Sequence, residues 1–539
     1  MHRIAPVVLV LSFASLPARA DNYPRQPGVD AEHYTFRLTL SRDSETIQGE
    51  TTANFRFVES GVTRIFLDLA SVKEGKGMTV SGVNDAAGPI SFQHREDRLE
   101  ITLPAAPAAG ARRAFTIRYA GVAANGLHFS KNRFGARTIF SWNWPTFARE
   151  WLPVIDHPSD KATSEFLVTA PVQYQVVANG ALVEVRDLDG GLRLTHWKES
   201  VPIASWLNNI GVAEFAMRRF ASVRGVPLET WVFPGDRDNG IGTFEGPMRQ
   251  AIDFFSEYIG PYPYEKLASV QVNGMSGGME HASEVFYGER SVTGQPAFSL
   301  VAHEVSHQWW GDSVTEKDWD DAWLSEGFAT YFAALAQEHY FGRDAFAETM
   351  SRSRSAILQM EKKSPTPVIH ENLPEIRGGR APIGLVYQKG GWVLHMLRDT
   401  IGPDKFREGL REYYRRHRDS NASTADLEQV MEEISGENLS WFFSQWLRRG
   451  VSPQIEATWT YDAPNKKVAV ALAQKQPGDL FRVPLTIAVK ATGSSTKMER
   501  LLLTERTAHV DISFEKEPEN VILDPMVTVL MDARIAAAK

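Results

Sequence analysis

His303-Glu304-Val305-Ser306-His307 runs into Gln308-Trp309-Trp310-Gly311 and is followed by Trp323-Leu324-Ser325-Glu326-Gly327. Read as a helix, the first five residues put His303 and His307 on one face a turn apart, so two imidazoles can converge on a single ion. Zinc is the natural candidate. A hydrolytic zinc site takes three protein ligands and leaves a fourth position open, and the helix expected after Gly311 carries Glu326 as the third ligand. Glu304 points about a third of a turn away from His303, which leaves it free to take a proton from water. The bland alternatives are satisfied core histidines and a surface carboxylate, and in a chain with 14 His and 66 acidic residues a five-residue match alone does not dismiss them.

Two further stretches shift the balance. Gly277-Gly278-Met279-Glu280 precedes the paired histidines, and Val386-Tyr387-Gln388-Lys389-Gly390 follows them. With these in place the chain resembles the gluzincin aminopeptidases, the family of aminopeptidase N and leukotriene A4 hydrolase, over nearly its whole length after the first twenty residues. The resemblance implies one zinc ion (Zn2+) per chain, held by His303, His307 and Glu326, with Glu304 as general base. It implies that the Tyr387 hydroxyl stabilises the oxyanion of the tetrahedral intermediate. It also implies that Glu280 binds the free α-amino group of a peptide, with Gly277, Gly278 and Met279 completing the substrate-binding segment. Two positions depart from the family pattern. His281 stands where asparagine is usual, and Trp144 stands where the first domain usually supplies a glutamine or glutamate. Trp144 is therefore expected to shape the first side-chain pocket. Asp320 and Asp321 are candidates to hydrogen-bond a ligating histidine, or simply to start a helix.

Composition narrows the remaining choices. The chain has 539 residues, 43% of them hydrophobic, which is enough for several cores, and a net charge of -8 with no long basic stripe, which argues against nucleic acid as a partner. Residues 1–20 read as an export signal: His2-Arg3, an apolar run from Ile4 to Leu16, then Ala18-Arg19-Ala20. The run is too short to span a bilayer, which needs about 20 apolar residues. No later stretch qualifies as an integral membrane segment. There is no cysteine, so an oxidising compartment poses no mispairing hazard. The expectation is an exported protein, periplasmic or secreted. The sequence does not speak to oligomeric state.

The hydrophobic pattern gives a multidomain α+β chain. Over residues 21–224 apolar positions alternate, as at Tyr34, Phe36, Leu38 and Leu40, and again at Leu99, Ile101 and Leu103, and Phe115, Ile117 and Tyr119. That is the signature of an N-terminal antiparallel β-sandwich. Residues 225–450 mix short strands with helical patterns from Met248 to Tyr258, Phe298 to Trp309, and Gly384 to Thr400, and the resemblance implies a thermolysin-like α/β catalytic domain there. Alternation returns over residues 451–539, at Ile455, Ala457, Trp459 and Tyr461 and at Val483, Leu485, Ile487 and Val489, predicting a small C-terminal β-sandwich. The expected activity is hydrolysis of N-terminal residues from oligopeptides. A thermolysin-type endopeptidase and a non-catalytic peptide-binding protein remain the rival readings.

Overall fold

The computed structural model describes residues 21–369 and 383–538, so the export-signal reading of residues 1–20 lies outside the described residues. No helix among the described residues is long and apolar enough to cross a membrane.

The amino-terminal part is built on an eight-stranded sheet whose centre is the strand Val29–Thr39. Its alternation is realised as expected, with Tyr34, Phe36, Leu38 and Leu40 all buried. That strand pairs antiparallel with Thr46–Phe57 on one side, but parallel with Lys161–Pro171 on the other. The expected antiparallel sandwich thus contains one parallel pair. Alternation reports which face is buried and is blind to direction, so the sequence could not signal it. A four-stranded sheet (Gln175–Ala178, Ile210–Ala213, Arg137–Ser141, Leu127–Lys131) and a three-stranded one complete this part of the core.

A second, five-stranded sheet has the order Ala216–Val223, Val226–Val232, Leu267–Val272, Glu284–Gly288, Gly278–Met279. The boundary expected at residue 225 falls in the turn of its first hairpin. The strand Ala216–Val223 pairs forward with Val226–Val232, so this hairpin belongs to the second sheet. Among the described residues the helices of this part are α1 (Arg237–Tyr258), α2 (Phe298–His307), α3 (Trp323–Phe341), α4 (Arg343–Lys363), α5 (Gly384–Ile401), α6 (Pro403–His417), α7 (Thr424–Ser435) and α8 (Ser440–Leu447); α1 and α2 pack on this sheet, and the rest pack mainly on one another. Helix α1 begins well before the expected Met248. Gly246-Pro247 reads locally as a breaker, yet Phe244, Pro247, Met248, Ala251 and Ile252 are all buried, and this packing carries the helix through it. Ser423 caps α7 in a reciprocal box with Asp426.

The carboxy-terminal part is a small sandwich. A four-stranded sheet built on Gln454–Asp462 and Lys467–Gln474 accompanies a three-stranded sheet built on Val483–Lys490, with Val483, Leu485, Ile487 and Val489 all buried.

Helices α3 and α5 cross where Gly327 meets Gly390. A Cβ on Gly327 would sit 2.8 Å from the Gly390 Cα, and one on Gly390 would sit 2.9 Å from the Gly327 Cα. The crossing bears on the candidate site, because Glu326 is the residue before Gly327 and Tyr387 lies one turn before Gly390. Alanine in an ordinary helix interior would stabilise by about 0.5–1 kcal/mol relative to glycine. Gly327→Ala should instead destabilise by about 1–3 kcal/mol, since backbone and not a flexible side chain opposes the new methyl. Denaturant unfolding followed by far-UV circular dichroism measures the sign.

Candidate metal centre

Helix α2 is buried along most of its length and ends at His307. The four-residue spacing brings the Nε2 atoms of His303 and His307 to 3.3 Å of each other. Glu326 enters from the first turn of α3, with Oε2 3.6 Å from His303 Nε2 and 3.4 Å from His307 Nε2. Ligands bonded to tetrahedral zinc at about 2.0–2.1 Å lie about 3.4 Å apart, which the three sides of this triangle match. Glu326 Oε2 is buried and accepts no hydrogen bond, as suits an atom placed for a cation. At the other ring edge, His307 Nδ1 lies 3.1 Å from the Trp310 carbonyl and 3.0 Å from Ser325 Oγ. A carbonyl can only accept, so Nδ1 carries a hydrogen, and once the ring is neutral Nε2 turns its lone pair toward the triangle. The residues present therefore fit the zinc ion expected of them.

The electrostatics agree. Burial opposes a charge on His307, but Glu280, Glu326 and Glu304 outweigh it and raise its pKa well above the ordinary imidazole value. Burial also raises Glu326, yet the two imidazoles beside it prevail and hold its pKa at about 2. The cluster thus favours a positive charge in its midst.

Glu304 and Glu280 flank the triangle. One ligand atom each from His303, Glu304 and His307 fall within 4.8 Å of one another, and the same holds for Glu280, His307 and Glu326. Burial pushes Glu280 up to about 7, and burial followed by the Glu280 charge raises Glu304 well above the carboxylate range. The segment Gly277–Glu280 runs beside α2, its strand Gly278–Met279 pairing with Phe286 and Tyr287. Gly278 lies against Glu304 so closely that a Cβ there would fall 2.3 Å from the Glu304 carboxyl carbon. Met279 is buried in the core. Gln308 fastens this segment to the end of α2. Its Nε2 donates to the carbonyls of Glu280 and His281 at 3.2 and 3.3 Å and to Asp312 at 2.7 Å, while its Oε1 accepts from the Ser283 N–H at 2.8 Å.

Tyr387, on the first turn of α5, holds its ring nearly parallel to His303 with centroids 6.2 Å apart. Burial, then the nearby Glu326, Glu280 and Glu304 carboxylates, push its phenol pKa well up, so it keeps its proton. The two departures from the family pattern lie as follows. His281 is fully buried, packs edge-on against Phe286, makes no ring hydrogen bond and is held neutral, burial lowering its pKa to about 3. Trp144 meets Trp319 edge-to-face at 6.0 Å, just ahead of α3.

Asp321 is not the partner of either candidate ligating histidine. Asp321 accepts from Thr424 Oγ1 at 2.6 Å and from the Thr424 N–H at 3.2 Å, so it joins α3 to the start of α7. The Asp320 N–H donates to Asp318 in the turn before α3. Ser325 and the Trp310 carbonyl take the role instead. Sequence reasoning missed Ser325 and Gln308. Lys161 donates to the carbonyls of Asp312 and Ser313 at 2.9 and 2.7 Å and pins the first domain to the turn beyond α2. Ser325 alone had a readable signal, its place beside the ligand Glu326.

Removing the hydroxyl in Ser325→Ala leaves only the carbonyl to orient His307 and should weaken zinc affinity about tenfold, as such orienting partners generally do. Competition against a chromophoric chelator measures it. Zinc must also displace the proton that His307 retains, so affinity should fall as pH drops. The loss should begin above the ordinary imidazole value of about 6.5 and approach about tenfold per pH unit for one proton. Titrating metal-stripped protein between pH 8 and pH 6 tests the sign.

Comparison with known proteins bears on what this arrangement is. The family description "Peptidase M1 N-terminal domain" matches residues 30–207, and "Peptidase family M1 domain" matches residues 246–446. An aminopeptidase A of Gloydius brevicauda is 29% identical over 334 residues, 58% of this chain and 34% of that protein. A probable aminopeptidase 1 of Sulfurisphaera tokodaii is 27% identical over 401 residues, 70% of this chain and 48% of that protein. The chain therefore spans between a third and a half of the length of these relatives. Among solved structures, the M1 zinc metallopeptidase of Deinococcus radiodurans superposes with a TM-score of 0.68 at 26% identity, covering 79% of this chain and 95% of that one. A mutant of that protein has been solved bound to a Tyr-Ser-Ala substrate. With the two family descriptions falling in order on the β-rich part and on the helical part that holds His303, His307 and Glu326, the chain belongs to peptidase family M1.

Proposed function

We propose that this protein is a zinc-dependent aminopeptidase that removes N-terminal residues from oligopeptides. The observation that carries the reading is the place of Glu280: a carboxylate only 5% exposed, with an oxygen within 4.8 Å of ligand atoms of both His307 and Glu326. A carboxyl buried beside the reacting centre, its pKa pushed up to about 7 by desolvation, is held ionised only by a cation as its partner. The α-ammonium of a peptide is a cation one residue away from the first peptide bond, so pairing it with Glu280 sets that bond at the metal and makes cleavage exopeptidic. An endopeptidase would bring a neutral amide to the same place and leave Glu280 unpaired. The names of the relatives support the same reading.

Zinc, when bound by His303, His307 and Glu326, supplies Lewis acidity that activates a water near neutral pH and polarises the scissile carbonyl. Glu304, its carboxyl raised by burial and by Glu280, can accept the proton of the attacking water and hold it for the leaving amine. Tyr387 keeps its hydroxyl proton and donates it as a hydrogen bond to the carbonyl oxygen as that oxygen becomes anionic, an effect worth about 3 kcal/mol. Gly278 leaves Glu304 the room it needs beside the substrate segment. The peptide is the partner. Export to the periplasm or the medium is part of the proposal and rests on residues 1–20 and on the absence of cysteine.

Glu280→Ala should lower kcat/KM on aminoacyl substrates by about 10- to 100-fold, the worth of a charge-assisted hydrogen bond, with zinc content unchanged. Wild-type protein should leave N-acetylated versions of the same substrates intact. Equal turnover of free and acetylated substrates would remove Glu280 from this role and revive the endopeptidase reading.

A further inference from the structure

The eight-stranded sheet has two edges, and they are built differently. One ends in Gly88–Pro89, a two-residue strand containing a proline, which offers little to a further strand. The other ends in Ala181–Leu188, eight residues long and free of proline, with no strand of the described residues on its outer side. Seven of its eight residues are exposed, and the apolar ones are exposed heavily: Leu182 at 45%, Val183 at 53% and Val185 at 52%. Branched aliphatic side chains on an open edge strand leave apolar surface and unpaired backbone groups in water together. That combination suits a strand that is completed by another.

We propose that this edge is a homodimer interface, in which Ala181–Leu188 of two copies pair antiparallel about a two-fold axis through Val185. The occupant follows from the order of side chains. In an antiparallel pair related by a two-fold, positions equidistant from the axis stand opposite each other on the same face. Centred on Val185, Glu184 of each copy faces Arg186 of the other. Centred on Glu184 or on Arg186, the axis would set like charges against each other. Glu184 and Arg186 already lie on one face, 3.1 Å apart within a single strand, and both are well exposed, so exchanging partners between copies costs little desolvation. The strand's register against its inner neighbour slips between Leu182 and Glu184, which confines the regular run to Glu184–Leu188. The interface is therefore short, and its assembly depends on concentration.

The test is the mass of the full chain by light scattering or sedimentation, over a concentration series at low ionic strength. The expected result is a shift toward twice the monomer mass at micromolar concentration. Val185→Lys puts two ammonium groups on the axis and should leave only monomer, with the circular dichroism of the wild type because the position is exposed. Glu184→Arg or Arg186→Glu alone should abolish the dimer, and the two together, which swap the charges, should restore it. A chain that stays monomeric up to its solubility limit overturns the proposal. So does a dimer that Val185→Lys leaves intact, or one indifferent to the single charge reversals.

Discussion

Everything at the centre depends on keeping four ionisable groups crowded together away from water. Glu280, Glu304, Glu326 and His307 are each almost wholly buried and influence one another's charge. Three carboxyls and an imidazole in such a space are unfavourable taken singly, because desolvation costs each charge several kcal/mol. A divalent cation at the ligand triangle changes the balance, since it attracts all three carboxylates at once. The fold must therefore hold the groups in place firmly enough that they do not relax away into salt bridges of their own. Among the described residues no lysine or arginine forms an ion pair with Glu280, Glu304 or Glu326.

That firmness comes from aromatic packing. Trp309, Trp310, Trp319 and Trp323 all lie between the end of α2 and the start of α3 and are essentially inaccessible. The Trp310 ring packs on Phe328 at 4.9 Å, Phe332 at 5.5 Å and Tyr413 at 6.0 Å, which ties the turn after α2 to α3 and α6. The same residue offers its carbonyl to His307 Nδ1. Packing and ligand orientation thus meet in one side chain and its own backbone. Gln308, two residues before it in sequence, does the equivalent for Glu280 through two carbonyls and an N–H of the neighbouring segment. The end of one helix thereby organises both the candidate metal ligands and the carboxylate proposed to receive the peptide's amine.

This division explains what could be read in advance. Helical periodicity is local, so His303 and His307 on one face, and Glu326 on the following helix, were legible from spacing. Strand alternation is local too, and it identified the buried faces of Val29–Thr39 and Val483–Lys490. What was hidden depends on contacts between distant segments. The parallel pairing of Val29–Thr39 with Lys161–Pro171 leaves no mark on either strand's own pattern. Gly246-Pro247 by itself favours a break, and tertiary burial overrides it in α1. Asp320 and Asp321 offered the chemistry of a histidine's partner, but the turn before α3 points Asp321 at Thr424 and brings Ser325 to the imidazole instead. Gly327 and Gly390 read as two ordinary helix glycines, and only their mutual contact gives them a role.

The burial that stabilises this core is also what adjusts its chemistry. Desolvation is the leading influence on Glu280, Glu304 and Tyr387, each moved toward its neutral form. The walls that cause it are the hydrophobic side chains that hold α2, α3 and α5 together, so proton affinity at the site and cohesion of the fold have one source. A carboxyl raised in this way becomes a better proton acceptor, and a phenol raised in this way a dependable donor. Opening the wall would let water solvate the carboxylates, return their pKa values toward the ordinary range and relax the crowding that makes the triangle favour a cation. The charges that bear most on Glu280, Glu304 and Tyr387 are those of the cluster itself, held by the same packing, so that packing has little freedom to vary without varying reactivity.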